Sequence, residues 1–265
     1  MKDIQNQKDT RNIPLNEVGI AHLKYPITIL DMENKEQNTV ADISMSVSLP
    51  HQFKGTHMSR FIEVLAETGC RFHGRTIPVI LEKLKVSLEA EEAMVTIAFP
   101  YFLSRKAPVT GASAKLDYSC VFTGIHQREK DDFILTVRVP VSTLCPCSRE
   151  ISSRGAHNQR GSVSMDVRTR RSLDGTFEIL WIEELVEIAE ASASAPLYTL
   201  LKRPDEKYVT EQAYENPVFV EDIVRNVSEK LMDDPRVVQF TVRAENHESI
   251  HNHDAYAVVK WSRPQ

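Results

Sequence analysis

Alternating apolar and polar residues are the sequence feature that most constrains how this chain can fold. Within residues 43–49, Ile43, Met45, Val47 and Leu49 are separated by single serines. A period of two places these apolar side chains on one face of a strand, which predicts a half-buried strand. The same alternation recurs in six further stretches, at residues 95–99, 116–122, 133–139, 163–167, 240–242 and, through Tyr256 and Val258, 256–258.

Apolar residues at helical spacing lie between these strands. The three shorter groups are Phe61, Val64 and Leu65; Val79, Ile80, Leu84 and Val86; and Leu185, Ile188 and Ala189, which lead towards Leu197, Leu200 and Leu201. The clearest helix is predicted over residues 217–232, with Asn216 as its N-cap and Pro217 in its first turn. Its expected core face is Val220, Ile223, Val224, Val227 and Leu231.

The elements follow the order strand, strand, helix, helix, strand, strand, and the second half of the chain repeats it. Antiparallel hairpins with helices packed on one face predict an α+β architecture. Residues 1–15 are expected to form a mobile arm, followed by one unit over 16–128 and a second over 129–265. No stretch rich in glycine, proline or serine separates the halves, so they are predicted to form one continuous, bimodular domain.

Charge and length exclude several classes of protein. The chain has 265 residues and a formal net charge of −5, which argues against a nucleic-acid or membrane-surface partner. It contains no apolar run near the roughly 20 residues that a membrane span needs, and its polar N-terminus lacks a signal-peptide core. Four cysteines in a chain of this length do not suggest a disulfide scaffold, so a cytoplasmic protein with reduced thiols is expected.

A dense group of reactive residues surrounds Cys145. Cys147 and His157 follow it closely, and Arg149, Glu150, Arg154 and Arg160 lie in the same stretch. Thiolate and imidazole suit zinc and similar metals, while arginines suit phosphate or carboxylate. The pattern suggests a metal beside an anionic substrate, with a further ligand from elsewhere in the chain. Two half-buried thiols near a turn explain the spacing equally well.

Two acidic residues further along could belong to the same site. Glu206 lies in a charged stretch, residues 200–211, where it could be a metal ligand while Lys202, Arg203 and Lys207 meet phosphate. A solvated loop between helices is the favoured alternative there. Glu221 falls early in the helix predicted over 217–232, among apolar residues, where a buried carboxylate needs a partner such as the guanine N1–H and 2-amino edge. A favourable interaction with the helix dipole explains Glu221 as well.

Histidines and carboxylates concentrate at residues 245–254. Three histidines occur there, and His251 and His253 would project to the same face of an extended chain. A proton relay that includes Glu248 is favoured over a merely polar turn, because histidine titrates near neutral pH. Lys54 and Arg60 flank a glycine and a threonine before a helix and could seat an anion, although an ordinary capped helix start explains them almost as well.

Taken together, these segments resemble the type IB GTP cyclohydrolase family over nearly the whole chain. The resemblance is carried by Arg-Asn-Ile-Pro at 11–14, Lys-Gly-Thr-His-Met-Ser-Arg at 54–60 and Ser-Ile-His-Asn-His at 249–253, with the strings around Cys145, His157, Glu206 and Glu221. It implies a tunnelling fold with two units per subunit, each an antiparallel sheet with two helices on one face. It further implies homotetramers with active sites at subunit interfaces.

The resemblance also implies a reaction and residue roles. GTP and water would give 7,8-dihydroneopterin triphosphate and formate, the first step towards folate and often queuosine. Zinc or manganese, with iron or magnesium as further options, would be held by Cys145, His157 and Glu206. Glu221 would hold the guanine edge, Glu248 and His251 would lie near the reacting ring with His253 close by, and Cys147 would lie beside the metal ligand.

The mechanism expected from this resemblance begins with attack on C8 of the guanine by water activated at the metal. His251, assisted by Glu248, would protonate N7, and a second water would release C8 as formate. Two alternatives remain. One is a nitrile-reducing queuosine enzyme of the same fold, whose nucleophilic cysteine and NADPH chemistry does not need His157 or Glu206. The other is a non-catalytic metal- or purine-binding protein.

Overall fold

The computed structural model describes residue 5 and residues 7–173 and 175–264. Within this part of the chain the strands are β1 (Leu15–Asp31), β2 (Lys35–Leu49), β3 (Arg71–Phe72), β4 (Ala93–Lys106), β5 (Ser113–Gln127), β6 (Lys130–Leu144), β7 (Asn158–Thr169), β8 (Ala195–Pro196), β9 (Val237–Asn246) and β10 (Ala255–Ser262). The helices are α1 (Met58–Thr68), α2 (Ile77–Leu88), α3 (Pro146–Ile151), α4 (Ile182–Glu190), α5 (Arg203–Glu215) and α6 (Val220–Asp233).

The element order confirms the α+β class. Two strands, two helices and two strands occur as β1, β2, α1, α2, β4 and β5, and again as β6, β7, α4, α6, β9 and β10. Periodicity did not indicate the short elements β3, α3 and β8, nor helix α5, which has 13 residues. No helix in the described part of the chain is both long and apolar enough to cross a membrane.

One compact unit comprises Met1–Pro100, Val121–Leu135 and Arg171–Ile179. In it, β2 pairs antiparallel with β1 and β4, and β3 pairs parallel with β1. The alternation predicted for β2 is confirmed, because Ile43, Met45 and Val47 are buried and the serines between them are not. Helices α1 and α2 pack against each other and contact β1 and β2, respectively.

The other compact unit comprises Tyr101–Cys120, Thr136–Arg170 and Leu180–Gln265. Strand β9 pairs antiparallel with β7 on one side and β10 on the other, while β8 pairs with β6. Helix α6 packs on β9 and β10. Its core face is the one predicted from spacing, with Val220, Ile223, Val224, Val227 and Leu231 buried.

The two compact units interleave along the chain, whereas the predicted units are successive, so the boundaries at 16–128 and 129–265 stay a prediction. The predicted arm also stays a prediction, and residues 1–4 and 6 lie outside the described residues. Within the rest of that arm, Lys8 forms a β-bridge with Phe53.

The predicted start of the last helix is wrong. Helix α6 begins at Val220 with Phe219 as its N-cap, and the Phe219 amide donates to Asp222 Oδ2 at 3.1 Å. Asn216 instead ends α5, where its amide donates to Gln212 O at 3.1 Å. Its side-chain amide is also engaged, because Nδ2 donates to Ala193 O at 2.9 Å.

The prediction that residues 200–211 form a solvated loop is also wrong, because most of this stretch is helical. Helix α5 begins at Arg203 with Lys202 as its N-cap and Pro204 in its first turn. The Lys202 amide donates to Asp205 Oδ2 at 3.0 Å. This hydrogen bond caps the start of α5, although lysine is not a residue that favours the N-cap position. The helix expected to lead towards Leu200 ends earlier, at Glu190.

Two predicted apolar faces are partly wrong. On α2, Val79 and Val86 are exposed, and the buried face is Ile77, Ile80, Leu81, Leu84 and Leu88. These five residues follow a spacing of three or four, from which Val79 and Val86 depart. On β10, Tyr256 and Val258 lie on the exposed face, where the Arg243 guanidinium lies over the Tyr256 ring at 4.2 Å.

Candidate active site

Cys145 occupies the turn between β6 and α3. It is the N-cap of α3, half-buried, and its Sγ accepts a hydrogen bond from the Ser148 amide at 3.5 Å. Pro146 in the first turn favours the start of a helix at this position. Cys147 follows in the first turn and is exposed. The local sequence therefore fixes the backbone around Cys145 and leaves both thiols accessible.

His157 is held directly beside Cys145. The Cys145 amide donates to His157 O at 3.1 Å, and the His157 amide donates to Ser148 Oγ at 3.1 Å. The His157 ring nitrogen Nδ1 lies 2.9 Å from Gln159 Oε1. An amide oxygen can only accept, so this contact favours, for the neutral ring, the tautomer with the proton on Nδ1 and the lone pair on Nε2.

The loop between β9 and β10 reaches the same place. Ser249 Oγ lies 3.2 Å from His157 Nδ1, and Gln159 Nε2 donates to Glu248 Oε1 at 3.4 Å. The His247 amide donates to Arg160 O at 2.9 Å, which ties this loop to β7. Through Gln159 and Ser249, this loop brings Glu248 near His157, which the backbone in turn holds beside Cys145. The rings of His251 and His253 stack further along the loop, 5.3 Å apart, and are exposed.

Glu206 and Glu221 are both exposed residues in the first turns of their helices. Glu221 is therefore not the buried carboxylate that its apolar neighbours suggested; Val220 and Ile223 are buried instead. The Val218 amide donates to Leu144 O at 3.2 Å, so the chain before α6 passes next to the residue that precedes Cys145.

Within a single chain, the side chains of Cys145, His157 and Glu206 do not come close enough together to bind one metal ion. In the described part of the chain, a different group of side chains comes that close. The ligand atoms of Glu245, His247 and Asp254 all lie within 4.8 Å of one another. In that group Glu245 already accepts a hydrogen bond from Arg243 Nη2 at 2.8 Å.

The cations expected to seat phosphate have varied surroundings. Lys202, Arg203 and Lys207 are exposed at the start of α5, and Lys207 Nζ lies 3.7 Å from Glu211 Oε1. Lys54 and Arg60 belong to the other compact unit. There Lys54 is exposed, whereas Arg60 Nη1 donates to Ser87 O at 2.7 Å and so has a structural partner.

The donors around Cys145 fit a divalent metal. A half-buried thiol and an imidazole nitrogen with a free lone pair are ligands that zinc and neighbouring ions accept. The imidazole is also oriented in the usual way for a ligand, with its other nitrogen donating to an oxygen. Cys145 and His157 could therefore hold two coordination positions, with the remainder left for another side chain and water.

Comparison with known proteins identifies the family. Residues 1–257 match the family model described as Type I GTP cyclohydrolase folE2. The chain belongs to this family. The folE2 relatives include the GTP cyclohydrolase FolE2 of Thermosipho melanesiensis, 54% identical over 259 residues, which are 98% of this chain and 97% of the relative. The protein of the same name from Syntrophus aciditrophicus is 51% identical over 98% of this chain and 99% of its own.

Solved structures show the fold shared by this folE2 chain. Uricase from Arthrobacter globiformis superposes with a TM-score of 0.56 at 8% identity, covering 94% of this chain and 93% of the uricase. Urate oxidase from Bacillus sp. TB-90 gives a TM-score of 0.51 at 7% identity, covering 93% and 99%. These structures confirm the tunnelling fold.

Two site residues were missed by sequence reasoning. Gln159 lies two residues after His157 on β7, so both side chains face the same way, and this spacing was a usable signal. Asp205 was given no predicted role, whereas its neighbour Glu206 was predicted to be a metal ligand. In the structure Asp205 is completely buried. No signal in the sequence distinguished one carboxylate of that pair from the other.

Proposed function

We propose that this chain is a divalent-metal-dependent GTP cyclohydrolase of the type IB class. It converts GTP and water to 7,8-dihydroneopterin triphosphate and formate, the first step towards folate and, in many bacteria, queuosine. The observation that carries the proposal is the backbone hydrogen bond that holds Cys145 next to His157, together with the contact of His157 Nδ1 with Gln159 Oε1. Full-length similarity to proteins named GTP cyclohydrolase FolE2 supports it. The four cysteines are free thiols, and in this proposal the protein works in the reducing cytoplasm.

In this proposal Cys145, His157 and Glu206 hold the ion, which is zinc, manganese, iron or magnesium. When bound, a divalent ion supplies the Lewis acidity that makes water a nucleophile near neutral pH. Cys145 and His157 contribute a pair of ligands held side by side, because one backbone hydrogen bond joins them directly and Ser148 links them further. Cys147 is exposed one residue beyond Pro146 and, in this proposal, lies beside the metal ligand Cys145.

The side chains around the ion position GTP and move its protons. Glu221 accepts hydrogen bonds from the guanine N1–H and 2-amino group and so aims C8 at the site. His251, beside His253 and close in sequence to Glu248, donates a proton to N7 while water adds to C8. A second water then completes the release of C8 as formate. Lys202, Arg203, Lys207, Lys54 and Arg60 are the cations proposed to meet the triphosphate.

The site is completed in this proposal by another copy of the chain, within a homotetramer. Glu206, Glu221 and His251 are all exposed in the single chain, although a small-molecule site buries most of the surface of its ligand. Cys145, His157 and Glu206 also lie too far apart in one chain to surround one ion. Residues from a second subunit at the same pocket would meet both requirements.

The experiment that tests the function is incubation of purified protein with GTP and manganese or zinc. Formate release and the fluorescence of oxidised neopterin are measured, with a chelator added to a parallel sample. Metal-dependent formation of both products is the expected result. A folded tetramer that forms neither product with any divalent ion would overturn the proposal and favour a purine-binding or reducing relative.

Single substitutions test the ligand assignment. His157→Ala should lose bound metal and activity together, measured by elemental analysis and the neopterin assay. His247→Ala is the matched control, because His247 belongs to the Glu245, His247 and Asp254 group and has no proposed role. Metal that survives His157→Ala and disappears in His247→Ala would contradict the assignment.

A further inference from the structure

Asp205 is a completely buried carboxylate at the start of an otherwise exposed helix. Its exposed fraction is 0%, and Ala213 is the other buried residue of α5. A buried charge is costly unless hydrogen bonds replace its lost hydration. Asp205 therefore needs a set of partners, and those partners determine where the first turn of α5 lies.

The partners come from two separate segments. Asp205 Oδ1 accepts from the amides of Val109 and Thr110, at 2.9 and 2.8 Å, in the connection between β4 and β5. Oδ2 accepts from Thr110 Oγ1 at 2.6 Å and from the Lys202 amide at 3.0 Å. Burial raises the pKa of a carboxyl, but these hydrogen bonds outweigh it and bring the pKa of Asp205 well below its usual range.

The connection that receives Asp205 is itself well ordered by hydrogen bonds. The Ala107 amide donates to Ala112 O at 2.8 Å, and the Gly111 amide donates to Ala107 O at 3.0 Å. Gly111 has a φ of 68°, a left-handed conformation that glycine adopts without strain. Asp205 thus ties the first turn of α5 to a closed hairpin rather than to a mobile loop.

Glu206 is the next residue, and its amide donates to Lys202 O at 2.9 Å within the same turn. Asp205 and Ala213 are the buried residues of α5, so the Asp205 hydrogen bonds fix the backbone of the first turn, from which the Glu206 side chain projects. We infer that Asp205 is a positioning residue that holds Glu206 in the orientation needed for metal binding. The inference rests on the proposed role of Glu206 as a ligand.

Asp205→Asn tests this inference, because an amide group would turn a donor towards groups that are themselves donors. We expect metal affinity to fall about 10- to 100-fold, as is typical when an outer partner of a ligand is removed. The affinity is measured by chelator competition on full-length protein stripped of metal. Unfolding of each variant is followed in parallel.

Asp31→Asn is the matched control. Asp31 is also a buried carboxylate, 3% exposed, that accepts hydrogen bonds from the Glu33 and Asn34 amides in the turn after β1. Its loss should lower stability and leave metal affinity unchanged. An Asp205→Asn variant that is destabilised but binds metal as tightly as the wild type would overturn the inference.

Thr110 provides a second test that does not require loss of the buried charge. Thr110→Val removes the hydroxyl that donates to Asp205 Oδ2, and Thr110→Ser retains it. We expect weaker metal binding in the valine variant and recovery in the serine variant. Equal metal affinity in the two variants would contradict the inference even if Asp205→Asn does not fold.

Glu206→Gln separates this inference from the proposed function. Loss of metal affinity in Glu206→Gln with none in Asp205→Asn would overturn the positioning role and leave the ligand assignment standing. Unchanged metal affinity in Glu206→Gln would overturn both the positioning role of Asp205 and the ligand role of Glu206, because Glu206 would then not be a ligand.

Discussion

At the scale of single residues, the orientation of His157 depends on one amide oxygen. Gln159 Oε1 accepts from His157 Nδ1, so Gln159→Leu would remove the group that fixes the ring and its tautomer. We expect metal affinity to fall about 10- to 100-fold in Gln159→Leu, measured by chelator competition. Gln159→Glu keeps an acceptor for His157 Nδ1 but loses the donor to Glu248, so it should bind metal more tightly than Gln159→Leu. Equal retention in both variants would show that Ser249 is sufficient to orient the ring.

His251 is predicted to act on protons and not on the metal. His251→Ala should therefore retain full metal occupancy and GTP binding, while kcat falls by roughly 100- to 10,000-fold, the usual contribution of a general acid. Steady-state kinetics and metal analysis on the same preparation check both parts. A variant with the turnover of the wild type would exclude His251 as the proton donor.

Acid stability should depend measurably on Asp31. Burial raises the pKa of Asp31, but hydrogen bonds from Asn34, Gln37 and Glu33 outweigh it and lower the folded-state pKa. The carboxylate therefore stabilises the fold above the unfolded-state pKa of about 3.9, and this contribution is lost as pH falls through the lower folded value. The free energy of unfolding should differ between wild type and Asp31→Asn near neutral pH, and the gap should shrink below about pH 4. A gap that does not change with pH would contradict this.

At the scale of elements, α2 offers a direct comparison of its two faces. Leu84 is fully buried and Val86 is 69% exposed on the same helix. Leu84→Ala should lower the free energy of unfolding by about 2–5 kcal/mol, because it leaves a cavity in the core. Val86→Ala should change it by no more than about 0.5 kcal/mol. Denaturant titration of the two variants checks the prediction, and similar losses would contradict the observed helix orientation.

Periodicity predicted the elements well, and hydrogen-bond partners explain where it did not. The core face of α6 follows from residue spacing, but its start does not, because Asn216 is used by α5 and Ala193. In the candidate active site, too, contacts that are local in sequence were predictable and long-range contacts were not. Cys145 and His157 are close in sequence, whereas the contact of His157 with Ser249 joins residues 92 positions apart. That contact depends on the pairing of β7 with β9, which local sequence does not reveal.

At the scale of the whole molecule, we expect the fold to be independent of the metal. The apolar cores of both units are formed by side chains that have no proposed part in metal binding. Removal of the ion with a chelator should therefore abolish neopterin formation and leave the far-ultraviolet circular dichroism spectrum unchanged. Readdition of manganese or zinc should restore activity. Unfolding on chelation would instead indicate a structural metal site.

The exposure of Glu206, Glu221 and His251 in the single chain has a consequence for how the enzyme is assayed. If a second subunit supplies the missing wall of the GTP site, catalysis is linked to association by mass action. Specific activity should then fall when the protein is diluted below the dissociation constant of that association, and recover on concentration. The turnover number measured for such an enzyme depends on the protein concentration in the assay as well as on the residues of the site.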